Sequence, residues 1–245
     1  MRLKCIGCEA LARPIYLAAA RSAHTVDLNI LQIGLHNTPG GLRERLQAEI
    51  DLASDSGYDA VVLAYALCGK ATAGIQARSI PIVLPKAHDC ITLFLGSRER
   101  YDEQQKSCPG TYWYSQDYIE RGKFSETPFT LGAPTNSDQD IELVYQGYVE
   151  KYGKDNADYL MEVMGGWLNH YQRAVYVDLG LGDGKAVEEQ AREQADRRGW
   201  TFERMAGDLI LINQLLSGEW NSNFMIANPG KKVRMTFDQD VIGPE

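Results

Sequence analysis

Val61-Val62-Leu63-Ala64-Tyr65-Ala66-Leu67-Cys68-Gly69 and its echo, Pro81-Ile82-Val83-Leu84-Pro85-Lys86-Ala87-His88-Asp89-Cys90, decide the fold class. Each is an apolar, β-branched run that stops at a cysteine. Apolar runs without alternation suit strands buried on both faces, the environment of a parallel sheet. Residues 3–8 form a third such run, ending at Cys8. In open α/β sheets, ligands collect beyond the carboxyl ends of the strands. Three thiols are thus expected where chemistry usually sits.

Working outward, the pattern alternates between strand and helix. Residues 9–23 read as a helix despite Pro14, 26–35 as a strand, and Leu42, Leu46, Ile50 and Ala53 as one helical face. A short helix is expected at 73–78, before the second quoted run. Asp89 caps a helix beginning at Cys90. Residues 106–137 are aromatic and rich in turn residues, and read as an excursion or lid. Two helices broken near Gly153 follow. Then come a strand at 174–179, a helix at 185–198, a strand at 200–205, a helix at 208–216, a strand at 224–228 and a mobile tail.

The order predicts an α/β protein of parallel, Rossmann-like layers. Its two related halves span 1–105, with the cysteines, and 138–245, with the aromatic excursion between them. Asp89 and Asp208, each at the start of an apolar helix, supply the echo between the halves.

The chain has 245 residues, enough for a large core, and a formal charge of −8. The charge argues against a nucleic-acid surface. No apolar run reaches the ~20 residues of a membrane helix. With no signal-like start and five cysteines, an odd number, a cytoplasmic setting with reduced thiols is expected.

Cys8, Cys68 and Cys90, one from each strand end, suit a [4Fe–4S] cluster or, with fewer thiolates, zinc. Helix N-termini after Cys8 and Cys90 are expected to favour thiolate. His88 stands two residues from Cys90 as acid/base or fourth ligand. Lys86 is a second candidate catalytic residue and, with Lys70, could neutralise an anion. His36 ends another strand at the same edge. The plainer reading is that free cysteine packs as a small hydrophobe; Cys5, inside its strand, and Cys108, in a Pro-Gly turn, fit it best.

Two other features draw the eye. Asp178-Leu179-Gly180-Leu181-Gly182-Asp183-Gly184 matches the glycine loop with which many methyltransferases hold S-adenosylmethionine. Too few strands follow it for that fold, so a tight turn is the simpler reading, although Asp178, Gly182 and Asp208 would face the strand-end edge. Tyr112, Trp113, Tyr114 and Tyr118, with Trp167 and Tyr171, could wall a pocket or simply pack a loop.

Tyr65-Ala66-Leu67-Cys68-Gly69, residues 85–97 and Pro109-Gly110-Thr111-Tyr112-Trp113 resemble the DUF1638 family, as do residues 173–178 and Gly207-Asp208-Leu209. The family has no assigned function. The resemblance implies an anaerobic setting near corrinoid-dependent methyl transfer. Relatives carry glycine where this chain has Ala66. Three functions are therefore expected: an iron–sulfur enzyme (a lyase, reductase or methyltransferase) acting on a small molecule, a zinc-dependent methyltransferase with a corrinoid protein as partner, or a non-catalytic corrinoid-binding or cofactor-binding protein.

Overall fold

The computed structural model describes residues 1–122, 171–236 and 240–245, and between them only 146, 149–150, 152 and 153–159. Two parallel sheets with helices against them make a Rossmann-like α/β protein. The first holds β1 (Arg2–Cys8), β2 (Thr25–Leu31), β3 (Ala60–Ala64), β4 (Ile82–Pro85) and β8 (Phe224–Ala227), in the order β2-β1-β3-β4-β8. All neighbours run parallel except the β4–β8 pair. The second sheet is β5 (Thr111–Tyr114), β6 (Arg173–Asp178) and β7 (Thr201–Ala206), all parallel.

Continuous burial of β3 and β4 explains their unbroken apolar sequence: every residue of both is buried. One face is covered by α2 (Pro39–Ser54), whose Leu42, Leu46 and Ile50 are fully buried, each side chain contributing about 2 kcal/mol. The other face meets α1 (Ala12–Arg21), α3 (Cys90–Leu95) and α7 (Ile210–Ser217). These helices share one core with Val175 and Val177 of β6, so they lie between the two sheets. On the far side of the second sheet, α6 (Lys185–Arg198) packs Val187, Ala191 and Ala195 against Tyr112, Tyr114 and Tyr176.

Several expectations need correction. A 3₁₀ turn at Glu9–Leu11 precedes α1, which places Pro14 in the first helical turn, where its missing N–H costs nothing. Residues 73–78 form no helix. Instead Gly74 N–H donates to Val233 C=O at 2.7 Å and Ala77 N–H to Lys231 C=O at 2.9 Å, so the segment is held extended against the chain's end. That end is a hairpin, β9 (Val233–Met235) with β10 (Ile242–Pro244), anchored by buried Val233, Val241 and Ile242, rather than a mobile tail.

Within the expected excursion, Thr111–Tyr114 is strand β5 of the second sheet and Gln116–Gly122 is helix α5; residues 123–137 lie outside the described residues. Just before it, α4 (Arg98–Ser107) links α3 to β5. β8 and the C-terminal hairpin return to the first sheet. Near Gly153, which has φ of +78°, the described residues 149–150, 152 and 154–159 are helical; the rest of the two expected helices lies outside the described residues. No helix among the described residues is long and apolar enough to cross a membrane.

Candidate functional site

The site is built on the carboxyl edge of the first sheet. Cys8 is the last residue of β1, Cys68 lies four residues beyond β3, and Cys90 opens α3 after β4. The loops are tied together past the strand ends: Leu67 N–H donates to Ala87 C=O at 2.9 Å and Cys68 N–H to His88 C=O at 3.0 Å. Asp89 caps α3 through Ile91 N–H at 3.0 Å and accepts from the Tyr101 hydroxyl at 2.8 Å, which locks the start of the helix and with it Cys90.

The three thiols feel one another. Charge on Cys8 raises the pKa of Cys68, and both raise that of Cys90. Burial is nonetheless the largest influence on each, pushing Cys8 up to about 11, Cys68 to about 12, and Cys90 well above its ordinary value. The expected thiolate character is therefore corrected: desolvation outweighs what the short 3₁₀ turn and the six-residue α3 can offer, and Asp89 adds a like charge. Cys5, fully buried in β1, is pushed to about 12 by burial, as a core cysteine should be. Cys108 lies in the turn after α4.

Tyr65 was overlooked as a site residue, although it stands as the one polar tip in the first quoted run. Its hydroxyl is buried and lies against Cys8 without closing a regular hydrogen bond. Tyr118 is a further neighbour: charge on Cys90 and Cys8 raises its pKa, after burial.

Beside the thiols opens a cavity of about 900 Å³. Cys90, Phe94 and His36 line it together with Tyr112, Trp113 and Tyr118. Burial lowers the pKa of His36. Trp113 packs toward the layer between the sheets, while Tyr112 and Tyr114 belong to the core under α6, as alternation along a strand requires. Tyr171 also lines the cavity; Trp167 lies outside the described residues.

Other singled-out residues sit elsewhere. Lys86 is paired with Asp240 of the C-terminal hairpin at 2.8 Å. His88 is exposed and stacks on Tyr101, with ring centroids 6.4 Å apart. Lys70 is exposed, its carbonyl held by Arg43 at 2.7 Å. Asp178 accepts from Gly180 N–H at 2.9 Å and from Arg204 at 2.6 Å, which together hold its carboxyl below the usual range. The glycine loop packs against protein: a Cβ on Gly184 would fall 1.8 Å from the Tyr176 hydroxyl, and one on Gly182 3.0 Å from the Gln116 amide. Asp208 caps the approach to α7 through Ile210 N–H at 2.9 Å, as Asp89 does for α3.

Among the described residues, no group of three or more His, Cys, Asp or Glu side chains is arranged to hold a single metal ion. The chain matches no curated protein and no solved structure. A family model described as a protein of unknown function matches residues 30–216, and the chain belongs to that family, DUF1638.

Proposed function

We propose that Cys8, Cys68 and Cys90 hold an iron–sulfur cluster, and that the protein is an enzyme acting on a small molecule in the adjoining cavity. The observation that carries this reading is the placement of three cysteines at one sheet edge, at the end of β1, just beyond β3 and at the start of α3. Soft sulfur donors suit iron–sulfur clusters. A cubane spreads its ligating sulfurs over separate irons, so its cysteines need not close on one ion. Bound metal would also remove the penalty that keeps these thiols protonated, since coordination drives the proton off.

In this reading the cluster supplies Lewis acidity or one electron. Tyr65 and Asp89 shape its surroundings, and Tyr118 and the aromatic wall exclude water. The test is anaerobic purification with iron and sulfide analysis and an absorption spectrum. About four irons and four sulfides per chain are expected, lost in each of Cys8→Ala, Cys68→Ala and Cys90→Ala. Zinc in their place would favour methyl transfer with a corrinoid partner. Protein free of both would leave a cavity that only binds.

A further inference from the structure

One polar group beside the thiols stands without a partner. Tyr65 is 3% exposed, and its buried hydroxyl has no hydrogen-bond partner among the described residues. A buried group left unpaired is costly, and such groups often mark a place where something is still to bind. Strand register identifies the neighbour. β1 and β3 run parallel, with Ile6 beside Leu63 and Gly7 beside Ala64, so the next residues along, Cys8 and Tyr65, adjoin. Side chains alternate between the faces of a strand. Ile6 and Leu63 lie in the core under α2; two residues further on, Tyr65 lies in that same core, with Cys8 and Cys68 packed against it. The Cys8 sulfur is thus the atom that the hydroxyl meets. The pair also stands between β1 and β3, where the strand order reverses and open α/β sheets bind their ligands.

A thiol is a weak acceptor, whereas hydrogen bonds to a charged acceptor such as a thiolate are roughly twice as strong as neutral ones. We infer that the Tyr65 hydroxyl donates to the Cys8 sulfur once that sulfur is bound to metal, and so is a positioning residue that tunes the centre. This rests on the reading of Cys8 as a ligand, and applies to a cluster and to zinc alike. Hydrogen bonds to ligating sulfurs favour the more negative, reduced cluster, so they raise its reduction potential. With zinc the same bond strengthens binding, as the outer partners of metal ligands do.

The experiment compares wild type with Tyr65→Phe, which keeps the ring and removes only the donor. The full chain is purified anaerobically, its iron, sulfide and zinc are counted, and a cluster is titrated with dithionite in the presence of redox dyes. With a cluster bound, the potential of Tyr65→Phe is expected to lie about 59 mV lower, a tenfold change in the one-electron equilibrium constant. With zinc bound, competition against a chelator should show affinity about tenfold weaker. In metal-stripped protein the loss disappears: deleting an unpartnered hydroxyl should leave the urea midpoint unchanged or higher. A tyrosine that only braces the fold would lower that midpoint and leave the potential alone. The inference is overturned if potential or zinc affinity is the same in both proteins, or if the metal-stripped midpoint drops. Should Tyr65→Phe fail to fold, 3-fluorotyrosine at position 65, of nearly the same shape and a stronger donor, should raise the potential or the affinity, and no rise overturns the inference. The metal count keeps the two readings apart: protein that takes neither iron nor zinc refutes both, and loaded protein indifferent to Tyr65→Phe refutes this inference only.

Discussion

The Cys68 N–H donates to the His88 carbonyl at 3.0 Å, so the ladder between β3 and β4 continues past both strand ends into the loops that bear Cys68 and Cys90. Directly after that bond the chain turns through three successive left-handed residues, Cys68, Gly69 and Lys70, with φ of 46°, 64° and 74°. Backbone strain of this kind gathers at functional sites.

Gly69→Ala should therefore cost about 1 kcal/mol in urea denaturation, from backbone conformation alone. The new Cβ would stand 3.6 Å from Pro39 Cγ, an ordinary contact, so no clash adds to the loss. An unchanged midpoint would show that the turn relaxes without strain.

Thiol chemistry offers a second check. In metal-free protein near neutral pH, Cys5, Cys8 and Cys68, raised to between about 11 and 12, should react with iodoacetamide at least about a hundredfold more slowly than an ordinary thiol. One faster site is expected, at Cys108, and Cys108→Ser should remove it. Mass spectrometry of the labelled peptides reads this directly, and rapid labelling of Cys68 would contradict it.

Arg13 of α1 reaches across to α5, pairing with Asp117 and, at 2.6 Å, with Glu120. Asp117 is 4% exposed and also accepts the Arg13 N–H at 2.7 Å. Asp117→Asn weakens charged hydrogen bonds while Arg13, about one-third exposed, keeps Glu120, so it should destabilise the protein by about 2 kcal/mol in thermal or urea unfolding. A loss below about 1 kcal/mol would mean that water replaces the carboxylate at this junction.

Asp178 makes a pH-dependent contribution with a definite sign. Its folded pKa is depressed, by Gly180 N–H first and then by Arg204. The stabilisation is therefore present above the unfolded value of about 3.9 and is lost as pH falls through the lower folded value. The side chain is 30% exposed, so screening holds the effect below about 1 kcal/mol. Asp178→Asn should be less stable than wild type near neutrality and level with it in strong acid. A difference that persists unchanged into acid would reject the assignment.

Much of the architecture was legible residue by residue. The spacing of Leu42, Leu46, Ile50 and Ala53 marked α2, the apolar runs marked β3 and β4, and Asp89 marked the start of α3. Residues 185–198 have helical spacing and form a helix. The failures fell where a distant partner decides. Residues 73–78 have helical composition, yet their N–H groups are claimed by 231 and 233. Tyr112-Trp113-Tyr114 resembled a loop because an isolated four-residue strand carries little pattern until β6 lies beside it.

By itself the sequence determined the parallel strands, the helices between them and the edge at which Cys8, Cys68 and Cys90 emerge, because periodicity and capping are local and act within a few residues. Only the tertiary structure decided that β8 returns to the first sheet, that three helices are shared between two sheets, and that burial raises the thiol pKa values beside a cavity whose described lining holds no Asp, Glu, Lys or Arg. Those outcomes depend on burial and on contacts such as Arg13 with Asp117, 104 residues apart, and desolvation exists only once the chain has closed around a group.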